Sequence, residues 1–135
     1  MYKRQGLCRL NTKTNELVFS GAHRPLLLFK DGEMEVIKGD KYPIGGIQYK
    51  NKQNFTDYSV KLKTDDAVFV YSDGLPDQMG GDEGRKMMNK RVVNFIEQGM
   101  SGDFKDLKSK NERFFKDWIG NEKQMDDVLL LGVKI

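Results

Sequence analysis

The sequence is poor in the residues that carry most covalent and soft-metal chemistry. Of its 135 residues one is cysteine, Cys8, and one is histidine, His23. A single thiol excludes an internal disulfide and any Cys-x-x-Cys redox or metal motif, and a single imidazole excludes the two-histidine zinc signatures. Six positions after Cys8 stands Thr14, so the Cys-x5-Arg loop of cysteine phosphatases is missing too. No apolar run approaches the roughly 20 residues that a membrane-spanning helix needs. Residues 1–6 are polar and basic with no hydrophobic segment behind them, so no secretory signal is read there. Charge is plentiful but nowhere massed. The 23 Lys and Arg against 20 Asp and Glu leave a formal +3 with no block of five or six like charges, and neither nucleic acid nor an anionic membrane surface is expected as a partner. A reducing, cytoplasmic setting is the expectation.

What is present is enough for one modest domain. At 38% hydrophobic, 32% charged and 10% aromatic residues, the chain is neither apolar enough for a membrane protein nor polar enough for a disordered one. An α+β fold is expected, because the part up to about Asp73 reads as short strands and the rest as helices followed by one last strand. Residues 7–10 and 16–20 flank the polar cluster Asn11, Thr12, Lys13, Thr14 and Asn15, which suits a hairpin turn. Residues 26–30 and 34–38 flank Asp31-Gly32, a dipeptide that accepts positive φ in a two-residue loop. The opening is therefore expected as an antiparallel meander. A loop over residues 39–53 follows, and then Thr56, Tyr58, Val60 and Leu62 alternate with polar neighbours as in a strand with one wet face. Residues 67–71 are continuously apolar, the pattern of a strand buried on both faces.

The second half reads as helical. Asp82 and Glu83 are expected to start a helix in which Met88, Val92, Phe95 and Ile96 form the apolar face and which Gly99 stops. Ser101 is expected to cap a second helix whose core face is Phe104, Leu107, Asn111, Phe114, Phe115 and Trp118. The apolar residues 128–135 close the chain as a central strand.

Carboxylates are the chemistry left over. Asp73 and the Asp126-Asp127 pair sit at the edges of strongly apolar strands, where an unpaired buried charge would cost several kcal/mol. A hard divalent cation bound by one or two carboxylates plus water would neutralise them; an Asx turn at Asp73 and a solvated cap or bulge at Asp126 are the alternatives. Residue physics alone leaves both open. Gly80, Gly81 and Gly84 before Arg85-Lys86 lack the Gly-x4-Gly-Lys-Ser/Thr spacing of a phosphate loop and read as a turn preceding a helix, and no calcium loop follows Asp73. His23, between Ala22 and Arg24-Pro25, reads as a structural loop residue.

Four segments in order nevertheless resemble a known family: Ser20-Gly21-Ala22-His23-Arg24-Pro25-Leu26, Tyr42-Pro43-Ile44-Gly45-Gly46, Val68-Phe69-Val70-Tyr71-Ser72-Asp73-Gly74-Leu75-Pro76-Asp77-Gln78, and Gln124-Met125-Asp126-Asp127-Val128-Leu129-Leu130-Leu131-Gly132. Together they resemble the SpoIIE-type branch of the metal-dependent (PPM, type 2C) serine/threonine protein phosphatases, over residues 7–135. The resemblance implies a β-sandwich flanked by helices, with Asp73 and Asp126 as ligands of Mn²⁺ or Mg²⁺, two ions in the complete domain, and Asp127 behind them. It implies hydrolysis of phosphoserine or phosphothreonine by metal-activated water, with no catalytic side chain beyond the metal ligands. The implied substrate is a phosphorylated regulatory protein of bacterial signal transduction, with a sensor or receiver domain preceding the phosphatase in the parent protein. The family's metal-bridging aspartate, in a Gly-Asp-x-x-Gly-type segment, has no counterpart before Leu7. The chain is therefore expected to be the C-terminal portion of such a domain, with residues 1–6 a leader of other origin, an incomplete sheet and little turnover alone. A catalytically inactive binding or regulatory module is the alternative.

Overall fold

The computed structural model describes residues 3–45 and 54–135; Gly46 of the second motif and the loop through Gln53 lie outside the described residues. The chain divides into two compact units, Met1–Val70 with Gly132–Ile135, and Tyr71–Leu131.

The first unit is built from antiparallel strands. β1 (Gln5–Asn11) pairs with β2 (Glu16–Ala22) from Gln5 opposite Ala22 to Asn11 opposite Glu16. β5 (Asp57–Lys61) takes the other edge of β2, so the order of this sheet is β1-β2-β5. A second sheet has the order β4-β3-β6-β9, from β3 (Leu26–Lys30), β4 (Glu33–Ile37), β6 (Ala67–Tyr71) and β9 (Leu130–Lys134). Leu17 and Phe19 of β2, Leu26 and Leu28 of β3, Ile37, Leu62 and Val68 form one buried cluster, so the inner faces of both sheets share a core in the manner of a β-sandwich. The period-two alternation of β2 and the polar–apolar alternation of β5 follow from this one-sided burial.

The loop chemistry behaves as the residue types dictate. Asp31 and Gly32 have φ of 52° and 85°, the left-handed pair that a two-residue hairpin needs between β3 and β4. The expected meander, however, is two hairpins in two sheets: β2 does not pair with β3. His23 adopts φ 59° and donates its backbone N–H to Asp40 O at 2.8 Å, and the chain leaves the first sheet there before β3 begins. The exposed His23 thus has a conformational role in a strand-to-strand turn. Gln5 and Gly6 belong to the β1 ladder, and Lys3 exchanges backbone hydrogen bonds with Ile44.

β6 matches its expectation, with Ala67, Val68, Phe69 and Tyr71 all buried. β9 does not. It is the last strand of the sheet order among the described residues, and Leu129, Leu131 and Val133 are 60%, 53% and 39% exposed. Apolar composition alone says that a strand can be covered on both faces, not that it is.

The second unit contains α1 (Gly74–Asp77), a small hairpin of β7 (Met79–Gly80) and β8 (Arg85–Lys86), α2 (Met88–Met100), and α3 (Leu107–Ile119) entered through a 3-10 turn at Phe104–Asp106. Asp82 and Glu83 lie in the hairpin turn rather than at a helix start. The buried methionine at the head of α2 is Met87, while Met88 is 60% exposed. Ser101 ends α2, its hydroxyl donating to Gln98 O at 2.7 Å, and Asp103 does the capping expected of Ser101 by accepting from Lys105 N at 3.0 Å. A serine hydroxyl can donate to a carbonyl at the end of a helix or accept from an N–H at its start, whereas an ionised aspartate can only accept, and the chain path decides which end Ser101 serves. Met87, Val92, Ile96 and Leu107 are buried, and Phe95 stacks on Phe114 with ring centroids 3.9 Å apart. Arg91 lies over the Trp118 ring at 4.3 Å, a cation–π contact on a half-buried indole. No described helix is long and apolar enough to cross a membrane.

Candidate metal centre

Both acid segments singled out from the sequence fall in the second unit, and the structure brings their backbones into contact. Ser72, directly after β6, is the joint. Its hydroxyl donates to Asp127 O at 2.8 Å and accepts from Leu129 N at 2.9 Å, while its own N–H donates to Leu129 O at 3.0 Å. Two residues on, Gly74 is buried against the same carbonyl: a Cβ at this position would strike Asp127 O. Glycine is required there by close approach, and the Ser-Asp-Gly order follows: a hydroxyl to bridge, an acid to present, and a residue without a side chain to admit the partner segment.

Asp73 itself sits at the N-cap position of α1 with helical φ and ψ, and its side chain makes no capping hydrogen bond. The residue is half-buried. Across the contact, Asp126 and Asp127 are exposed, and Asp126 Oδ1 accepts from Asp127 N at 2.7 Å. The burial cost expected for these acids therefore does not arise at Asp126 in this chain, because β9 and the residues before it are open to solvent.

A further residue, to which the sequence assigned no role, completes the arrangement. Gln78 closes α1 and is fully buried, at 0% exposure. Its side-chain Nε2 donates to Met79 O and to Lys123 O, both at 2.9 Å, and its Oε1 accepts from Met125 N at 3.2 Å. Its backbone carbonyl accepts from Met87 N at 3.0 Å and from Trp118 Nε1 at 3.1 Å. A glutamine in a turn after Asp-Gly-Leu-Pro-Asp looks like surface in a linear reading; nothing local marks it as buried.

Asp77 is exposed and pairs with Lys86 at 3.0 Å, on the far end of α1 from Asp73. His23, Cys8 and the first two motifs belong to the first unit. Partial desolvation raises the pKa of the Cys8 thiol, which disfavours the thiolate a nucleophile would need. Among the described residues no group of three or more His, Cys, Asp or Glu is placed to enclose a metal ion. What the acid pair offers is an all-oxygen donor set suited to a hard divalent cation that keeps much of its water shell.

A family model described as Stage II sporulation protein E (SpoIIE) matches residues 2–135. The chain belongs to the SpoIIE family. No curated protein matches it. Among solved structures, the SiaA-PP2C domain of Pseudomonas aeruginosa is similar with a TM-score of 0.85 at 22% identity, covering 98% of this chain and 51% of that one. The RsbU and RsbW domains of a Mycobacterium tuberculosis protein give a TM-score of 0.71 at 20% identity, over 97% of this chain and 35% of theirs. The phosphatase domain of SpoIIE from Bacillus subtilis, presoaked with Mn, gives 0.64 at 16% identity, over 98% of this chain and 56% of that one. The PP2C-type fold of this SpoIIE-family chain is thereby shown, and the chain spans between about a third and just over half of these relatives' lengths.

Proposed function

We propose that this SpoIIE-family chain carries part of the active site of a metal-dependent phosphoserine/phosphothreonine protein phosphatase. The observation that carries the reading is the contact of the two acid segments through Ser72, which sets Asp73 and Asp126 on adjoining backbone. Asp73 and Asp126 are the proposed ligands of Mn²⁺ or Mg²⁺, with Asp127 supporting Asp126 through its backbone N–H. The donor set fits such an ion, since two carboxylates with water in the remaining positions satisfy a hard cation. When bound, the ion supplies an acidified water as nucleophile and charge stabilisation at the phosphoryl oxygens. Ser72 holds the two segments together, and Gly74 admits their close approach.

The substrate in this reading is a phosphorylated regulatory protein of bacterial signalling in the cytoplasm, under control of a sensor or receiver domain in the parent protein. Residues 7–135 then form the C-terminal portion of the phosphatase domain, and further carboxylates come from its remainder. A second reading, an inactive binding module, is favoured by the absence of a third acidic ligand near the pair among the described residues. Mn²⁺-dependent hydrolysis of p-nitrophenyl phosphate distinguishes them, measured on this chain and on the extended upstream reading frame, each with and without Asp73→Asn. Activity in the extended form that Asp73→Asn abolishes supports the phosphatase; an extended form that binds Mn²⁺ without turnover supports the module.

A further inference from the structure

Asp126 is bracketed by two ties that both lead back to the neighbourhood of Asp73. On one side Asp127 O is held by the Ser72 hydroxyl, immediately before Asp73. On the other side Met125 N is held by Gln78 Oε1, at the end of the one-turn helix that Asp73 begins. The same glutamine also holds Lys123 O, so residues 123 and 125 are both fastened to one side chain.

We infer that Gln78 is a positioning residue that, with Ser72, fixes the backbone of Asp126 relative to Asp73 and so sets the geometry in which the two carboxylates meet a divalent cation. The inference rests on the metal-ligand reading above and adds the residue that enforces it. The chemistry requires glutamine. The buried site presents two carbonyl oxygens and one N–H, which call for two donors and one acceptor on a single planar group, and only a primary amide provides them. The same partners assign the amide orientation, because the reverse one would set oxygen against two carbonyls. An ionised glutamate would keep the acceptor and turn both donations into repulsions. Groups that hold ligands from behind typically change metal affinity by roughly 10–100-fold when removed.

The test is an NMR titration of this chain with Mn²⁺, read as paramagnetic broadening of backbone amides, preceded by amide hydrogen exchange in the metal-free protein. In the wild type the Met125 amide is expected to be protected relative to Gln124, and Mn²⁺ to broaden the signals of residues around 73 and 126. Gln78→Met is expected to weaken Mn²⁺ binding by about tenfold or more, and to add little further loss in an Asp126→Asn background. A purely structural role would lower the melting temperature in both backgrounds and leave the affinity of the folded fraction unchanged; wild-type affinity in folded Gln78→Met overturns the inference alone. Should Gln78→Met not fold, the wild type decides: a Met125 amide that exchanges as fast as Gln124 overturns the inference without any variant. No broadening in the folded wild type, with Met125 still protected, overturns the metal reading itself, and the inference with it.

Discussion

Gly74 shows how much a single atom decides at this site. A Cβ there would collide with the Asp127 carbonyl, which cannot retreat without breaking its hydrogen bond from Ser72. Gly74→Ala is therefore expected to destabilise the second unit by about 1–3 kcal/mol, the range of overpacked interiors; thermal melts of the two proteins measure it. Ser72→Ala removes both a donor to Asp127 O and an acceptor for Leu129 N. Leaving these two groups unpaired is expected to cost about 1–2 kcal/mol, reduced where solvent can reach them, and to weaken Mn²⁺ binding alongside. Cys8 supplies a prediction of opposite kind. Its pKa is raised by desolvation, so less thiolate is present at neutral pH than in an unhindered peptide. Alkylation by iodoacetamide near pH 8 should run slower in the folded chain than after denaturation, and the difference should shrink as pH rises past the raised pKa.

At the scale of elements, the residue patterns located β3, β4 and β6 nearly to the residue and misread the strand that follows β2 and the starts of the helices. The Asp31-Gly32 hairpin was legible because a positive φ at two successive positions has few chemical solutions. The β1–β2 hairpin was legible from its polar turn, but the strand on the other edge of β2 was not: an apolar alternation reports that one face is buried without naming the strand beside it. For the same reason Asp82 and Glu83, good helix starters, became the turn of a two-residue-strand hairpin, where Gly80 lies so close to Trp118 O that a side chain would not fit. The Phe95–Phe114 stack joins α2 to α3, and Phe114→Leu is expected to lose about 0.5–1.5 kcal/mol beyond its change in buried area, read from urea unfolding. Among the described residues β9 is an edge strand bearing Leu131 and Val133 in the open, the kind of surface that pairs with other chains. Leu131→Lys should reduce self-association of this chain in sedimentation experiments without lowering its melting temperature.

At the scale of the whole chain, family membership and fold agree on a phosphatase-type scaffold that spans a third to just over half of its solved relatives. In the proposed reading, two carboxylates on adjoining segments would hold a divalent cation only modestly, since Coulomb attraction and donor number are both short of a closed site. Mn²⁺ is accordingly expected to stabilise this chain appreciably only at concentrations well above its Kd, by RT ln(1 + [L]/Kd), about 2.7 kcal/mol at a hundredfold excess over Kd, and the melting temperature should rise with it. Asp73→Asn and Asp126→Asn should each abolish that rise, and EDTA should reverse it.

By itself the sequence determined which chemistry is open to this protein. With only one thiol and one imidazole it offers almost entirely oxygen ligands, and the order of its Ser-Asp-Gly and Asp-Asp segments carries the family. Those properties belong to side-chain type and order along the chain, which exist before folding. The tertiary structure alone decided that Ser72 and Gln78 fasten the second acid segment to the first, that Gly74 leaves room for it, and that β9 stands at an edge. Each of these depends on which distant backbone groups arrive beside a given residue, and buried N–H and C=O groups, identical at every position, leave no mark in the sequence of where their partners will come from.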